Sequence, residues 1–258
     1  MTTSGGIAGM TGYDVQSTVI LELILELDAL PGSVELRPEG QDDLELRWVE
    51  PITNRSCCRY HQIKKATDND PKAEWSLARV ARELLGNAVA KLHGNQHEQV
   101  WVLGDRLADD VQQLLTAGRH APERQRETYL IALHRLAKAE VRYTDGLGDS
   151  TIKHRLDRWN PVSHGGSVDQ DVEQTLTAFI SLETGIPLVT VEKYRQRTRT
   201  LHSILPDVLD RITARSYHGT ERQIAGRVRK LLADRYQLDP LAVEDVIFRN
   251  LRGFINDI

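Results

Sequence analysis

The stretch that decides the fold is Arg59–Ala66, RYHQIKKA, in which Gln62 and Lys64 stand two apart in a strand-like run. Alternation along a strand turns these two side chains to one face and His61 and Ile63 to the other. Polar groups on a buried strand are costly unless something pairs with them. About twenty residues earlier lies the acidic turn Pro38–Asp43, PEGQDD, followed by Leu44–Val49 with Leu44, Leu46 and Trp48 in alternation. Asp43 and Glu45 therefore face away from that apolar set, as Gln62 and Lys64 face away from Ile63. Pairing of the two strands would bring Asp43, Gln62 and Lys64 into one small volume. A carboxylate, an amide carbonyl and a strand-end backbone carbonyl are hard oxygen donors suited to Mg²⁺. The Lys64 ammonium adds a point charge for a transition-state phosphate and can orient an attacking water. Such a set of groups is fit for metal-assisted, in-line hydrolysis of a phosphodiester.

Working outward, the order of elements is readable. Val15, Val19, Leu23, Leu27 and Leu30 recur at helical spacing from Tyr13, and Pro31-Gly32 stops the helix. The first dozen residues, MTTSGGIAGMTG, are small and suit a loose arm. Strands are expected over Ser33–Arg37, Leu44–Val49 and Cys58–Lys64, joined by turns at Pro38–Asp42 and Pro51–Arg55. A helix over Trp75–Leu92, a buried-type strand over Gln99–Leu103 (QVWVL) and a helix over Ala108–Ala117 follow. Beyond Pro122 the pattern is helical: Glu123–Tyr143, Val168–Thr184, Val189–Arg215, Glu221–Leu232 and Leu241–Asn256. A loop over Asp145–Gly166 interrupts it. The expected organisation is an arm over 1–12, an α-β-β-β-α-β core over 13–118 and a helical extension over 119–258 for DNA binding or assembly.

At 40% hydrophobic and 27% charged residues the chain has the composition of a soluble globular protein. A net charge of −4 offers no global positive field for nucleic acid, so any such contact rests on a local basic face. The only cysteines, Cys57 and Cys58, are adjacent, which excludes a disulfide framework and a CxxC zinc pattern. No basic-plus-apolar leader and no long apolar run is present, and the expectation is a cytoplasmic protein without membrane contact.

An acidic residue opening one strand, then Gln62-Ile63-Lys64 on the next, resembles the QxK variant of the PD-(D/E)XK, or restriction-endonuclease-like, nuclease superfamily. Gly5-Gly6, Gly12-Tyr13 and Gln16 resemble the glycine-rich opening of a bacterial defence nuclease domain. Glu39–Leu44 is similar to its acidic turn, and His61–Lys65 with Trp75 to its strand and following helix. Val15 stands where an aromatic is usual, and Ile63 replaces a valine. The likeness covers roughly residues 5–80. It implies a restriction-endonuclease-like α/β core followed by a mostly helical region, and a double-stranded-DNA endonuclease of little sequence specificity. Asp43, Gln62 and Lys64 would be its catalytic residues, and Mg²⁺ its ion, with Mn²⁺ as a substitute. Such domains act as effectors in CBASS systems, in Avs-type STAND NTPases and beside HerA-type translocases. A homo-oligomer is therefore implied, with activation by a partner: a STAND NTPase, a cyclic-oligonucleotide receptor or a HerA-type translocase. The helical pattern runs through Gly253–Ile258, so the sensor is expected outside these residues. No Walker A motif occurs that would supply ATP-driven switching.

Around this set the assignments divide. Asp42 reads as a turn residue or a metal ligand, Glu39 as a further carboxylate for the ion or a solvated turn residue. Gln16 reads as an approach to the ion from the first helix or as an exposed helical glutamine. Glu22 and Glu26 read as a solvated stripe, His61 as packed away from the site, and Trp48, Trp75 and Trp101 as core. Lys65 and Arg79, near the active face, are the better candidates for DNA contact. Lys193, Arg195, Arg197 and Arg199 alternate further on, and line either a DNA-facing groove or solvent. The rival function is a restriction-like fold without catalysis, serving as a DNA-binding or assembly module. The intact Asp43/Gln62/Lys64 set favours the enzyme.

Overall fold

The computed structural model describes residues 4–27, 35–38, 42–50, 52–67, 73–117, 123–144, 170–217 and 220–256. Helix α1 (Ser4–Leu27) comes first. From Ser17 to Leu25 its side chains are almost all buried, with Val19, Ile20 and Leu23 no more than 2% exposed. A helix buried around most of its circumference belongs inside a core. Because it begins at Ser4, the loose arm expected over 1–12 is, from Ser4 onward, part of α1.

Three antiparallel strands follow: β1 (Glu35–Pro38), β2 (Leu44–Val49) and β3 (Ser56–Lys64). Where β2 turns into β3, Glu50 N–H donates to the Arg55 carbonyl, and Asn54 takes a left-handed φ of 51°. Asparagine tolerates that conformation better than most residues. The short strand β4 (Glu74–Trp75) leads into α2 (Leu77–Val80), a π turn (Ala81–Leu85) and α3 (Gly86–Leu92). Strand β5 (Glu98–Leu103) lies parallel to β3. Then come the short β6 (Arg106–Leu107) and helices α4 (Asp109–Ala117), α5 (Glu123–Thr144), α6 (Gln170–Thr184) and α7 (Leu188–Leu209).

Here the structure departs from the sequence pattern. The helix expected over Val189–Arg215 ends at Leu209, and Ile212–Ser216 forms β7, parallel to β5. Helices α8 (Glu221–Tyr236), α9 (Pro240–Ala242) and α10 (Phe248–Asn256) follow, with a π turn (Val243–Ile247) before α10. The result is a mixed α/β chain whose main sheet has the order β1-β2-β3-β5-β7. No helix among the described residues is long and apolar enough to cross a membrane.

Two compact units result, and they do not divide at residue 118. One holds the five-stranded sheet with α1, α8, α9 and α10; the other holds α2 to α7. The sheet and its last helices thus share a unit, although the second unit's two segments, 74–95 and 107–211, interrupt it in sequence. The loop read over Asp145–Gly166 lies outside the described residues.

One face of the sheet contributes Leu44, Leu46, Ile63 and Val102 to the first unit's core. Against it pack Val19, Ile20 and Leu23 of α1 and Ile224, Val228 and Leu232 of α8. Burying each leucine or isoleucine stabilises the fold by roughly 1.5–3 kcal/mol. A capping box starts α8, with the Gln223 side chain accepting from Thr220 N–H at 2.8 Å. Glu22 does not belong to the solvated stripe its spacing with Glu26 suggested, while Glu26 is exposed as that reading has it. Glu22 is 8% exposed and accepts from Arg227 Nε at 2.7 Å, which ties α1 to α8. Glu26 accepts from Arg215 Nη1 at 2.7 Å, joining α1 to β7. Glu22 belongs to a helix-to-core seam, because α8 returns to cover α1, and the Glu26 pair lies at the surface.

Candidate active site

The other face of the sheet sets polar side chains, Asp43, Tyr60, Gln62, Lys64 and Gln99, beside the buried Trp101 and Leu103. The pairing sets Glu45 opposite Tyr60 and Leu44 opposite His61, so one further step places Asp43 opposite Gln62. Gln62 and Lys64 share that face of β3. Asp43 sits in the bend before β2, half-buried, and its carboxylate is held from two elements. Oδ1 accepts from Gln16 Nε2 at 2.7 Å, and Oδ2 accepts from the backbone N–H of Ile63. The Ile63 N–H points to the β2 side just beyond the ladder's last pair, and the carboxylate takes the place of the missing strand carbonyl. Gln16 is therefore no exposed helical glutamine. It reaches the same carboxylate from α1.

Gln62 is 8% exposed, and its Oε1 is buried without a hydrogen-bond partner. An unsatisfied buried acceptor costs about 1–3 kcal/mol. A hard cation beside Asp43 would satisfy it, so the donor set fits Mg²⁺ by chemistry and placement. Among the described residues no three His, Cys, Asp or Glu side chains gather into a metal cluster. Asp42 is half-buried, and Oδ2 accepts from Gln99 Nε2 of β5 at 3.1 Å. That bond makes it more than a turn former. Glu39 lies outside the described residues.

Lys64 ends β3 and its backbone is pinned. Gly104 N–H donates to the Lys64 carbonyl at 2.8 Å. A Cβ at position 104 would lie 2.2 Å from Ala66 N, so only glycine lets the two strand ends run this close. Just beyond, the buried Asp105 carboxylate accepts from Thr67 N–H at 3.0 Å and from Thr67 Oγ1 at 2.9 Å. The chain on both sides of the lysine is thus fixed. Its side chain is half-buried and makes no hydrogen bond or ion pair among the described residues.

Two neighbours on this face are poor bases or nucleophiles at neutral pH. Burial, with the Cys58 hydrogen bond, pushes the Tyr60 phenol up to about 12. Burial likewise raises the Cys58 thiol. His61 faces the apolar side, as alternation requires. Burial first, then the Arg59 charge, pushes its pKa from 6.5 down to about 4. The unfolded chain therefore binds more protons than the folded one between those values. The contribution of neutral His61 is complete above pH 6.5 and is lost as pH falls toward 4. Thermal melts from pH 7 to 4 should show a drop in midpoint that His61→Gln reduces. An identical pH dependence in the two proteins would contradict this burial.

The remaining basic residues do other things. Lys65 is exposed, one step past β3. In the second unit Arg79 lies 3.8 Å above the Trp75 ring and 3.6 Å from Glu83, so its charge is already engaged. On α7, 3.6 residues per turn sets Lys193 with Arg197 and Arg195 with Arg199 on two different sides. The alternation therefore makes no single basic stripe. Arg195 donates to Thr177 Oγ1 at 3.0 Å, and Arg197 lines a cavity of about 610 Å³ with Glu140, Gln196 and Thr200.

Sequence reasoning missed Gln99. It opens an otherwise apolar strand, and that lone polar residue in QVWVL was the available signal. No family model matches this chain, and neither a curated protein nor a solved structure matches it.

Proposed function

We propose that the chain is a metal-dependent double-stranded-DNA endonuclease of restriction-endonuclease-like fold. One observation carries the reading: Asp43 falls opposite Gln62, whose buried amide oxygen lacks a partner, with Lys64 two residues on along the same face. Counting only the strands of the main sheet, the order through Leu103 is α-β-β-β-α-β, with three antiparallel strands and a parallel fourth, and supports the fold assignment. Asp43 and Gln62 would hold Mg²⁺ or Mn²⁺. When bound, that ion polarises the phosphodiester and supplies a nucleophilic water at neutral pH. Gln16 and the Ile63 N–H keep the Asp43 carboxylate fixed. Lys64, from a rigid strand end, stabilises charge on the scissile phosphate and orients the water.

Specificity is low in this reading, since no recognition module accompanies the sheet among the described residues. Cleaving both strands calls for two sites brought together. The resemblance of Glu39–Leu44 and His61–Lys65 to bacterial defence nuclease domains makes the enzyme, in this reading, an anti-phage effector working as a homo-oligomer under a sensor: a STAND NTPase, a cyclic-oligonucleotide receptor or a HerA-type translocase. Its place of action is the cytoplasm.

The test is plasmid DNA incubated with the protein, in Mg²⁺ or in EDTA, across protein concentration. Mg²⁺-dependent nicking and linearisation is expected, with activity per protomer rising steeply with concentration or with an added partner. DNA retention without cleavage, unaffected by EDTA, would instead establish a binding module. Linear activity from a demonstrated monomer would remove the assembly requirement.

A further inference from the structure

We propose that Gln99 is a further ligand of the cation site, with Asp42 as the residue that aims it. The proposal rests on the metal-site part of the reading above. Gln99 is fully buried on β5, in register with Tyr60 and so one diagonal step from Gln62 on the same sheet face. Its Nε2 donates to Asp42 Oδ2 at 3.1 Å. That bond draws the amide across β3 toward the bend before β2, where Asp43 stands.

The same bond settles which way the amide points. A carboxylate accepts and does not donate, so the nitrogen faces Asp42 and the oxygen faces away from it. That oxygen, Gln99 Oε1, is buried and accepts no hydrogen bond. Gln62 Oε1 is in the same condition. Two buried amide oxygens without donors, on adjacent strands and one face, next to a carboxylate, form an all-oxygen set. The ligand class that satisfies all three at once is a hard divalent cation. A buried water could donate to both oxygens and is the competing occupant.

The experiment uses the full chain and Mn²⁺ as the probe, with free Mn²⁺ followed by electron paramagnetic resonance and thermal midpoints recorded alongside. Gln99→Met keeps the length of the side chain and removes both polar atoms. It should weaken Mn²⁺ binding about tenfold or more, the scale seen when groups supporting a metal site are removed. Asp42→Ala removes the acceptor that aims the amide. It should also weaken Mn²⁺ binding and make the thermal midpoint depend on Mn²⁺ less strongly than in the unaltered chain.

If Gln99→Met bound Mn²⁺ within twofold of the unaltered chain while Asp43→Asn lost it, a water would occupy the position and the proposal would be overturned, leaving the nuclease reading in place. Absence of Mn²⁺ binding by the unaltered chain would overturn it as well. Mn²⁺ bound through Gln99, with plasmid left uncut across protein concentration and with an added partner, would support the proposal and sink the nuclease reading. Should Gln99→Met fail to fold, Asp42→Ala decides: Mn²⁺ affinity within twofold of the unaltered chain and an unchanged Mn²⁺ dependence of the midpoint overturn the proposal.

Discussion

Lys64→Ala should lower plasmid cleavage by on the order of 10²–10³ while the protein keeps its fold and melts near the unaltered temperature. The argument is one of position. The Lys64 carbonyl is held by Gly104 N–H at 2.8 Å, and the chain beyond is held by Asp105, so the backbone does not depend on the ammonium. The side chain has no partner among the described residues whose loss would destabilise the sheet. What the substitution removes is a preorganised charge for a phosphate, and that deficit should appear in kcat more than in DNA affinity. Lys65→Ala, one residue along and exposed, should keep most of the activity and at most weaken DNA binding. If Lys65→Ala were the damaging change and Lys64→Ala harmless, β3 would be slipped by one residue, since a single step exchanges the faces of a strand. If neither mattered, the enzyme reading would fall.

Asp43→Ala should be at least as damaging to cleavage, and unlike Lys64→Ala it should also reduce stability. It empties the cation site of its carboxylate, and it leaves the Ile63 N–H and Gln16 Nε2 without their acceptor. Each unsatisfied buried donor costs about 1–3 kcal/mol. Asp43→Asn separates the two effects. The amide retains one oxygen to accept from the backbone, so the melt should recover much of the loss while Mn²⁺ binding and cleavage stay low. Excess Mn²⁺ is expected to restore part of the cleavage of Asp43→Ala. Full activity in Asp43→Asn would remove Asp43 from the metal site.

The parts of this fold legible in the sequence are those whose burial imposes a period. Leu44, Leu46 and Trp48 alternate because β2 has one apolar face, and the same rule correctly separated Gln62 and Lys64 from Ile63. Strand β7 carried no such period. In Ile212–Ser216 only Ile212 is buried, because the strand lies at the sheet's edge, and its arginine continued a run that reads as helix. Missing that strand moved the boundary to residue 118, since nothing then brought α8 back to α1. Gln16 and Gln99 show a second limit. Their partners, Asp43 and Asp42, lie 27 and 57 residues away, and no local pattern encodes a side-chain bond across such a distance. The π turns are equally silent, because they shift a helical stripe by less than periodicity resolves.

The late return of β7 and α8 has a consequence for biosynthesis. As the chain leaves the ribosome, Asp43, Gln62 and Lys64 emerge long before Ile224, Val228 and Leu232, the residues that cover α1. Until those arrive, Val19, Ile20 and Leu23 lack the part of their packing that α8 supplies, so the core of the unit bearing the site is incomplete. Closing a loop as long as Leu103 to Ile212 costs little extra equilibrium free energy, because that cost grows only logarithmically. It does delay the sheet, since pairing between distant segments is slow. Nascent chains and products of broken messages, stopped anywhere inside the second unit, would thus carry the proposed cutting residues on an unfinished and inactive scaffold.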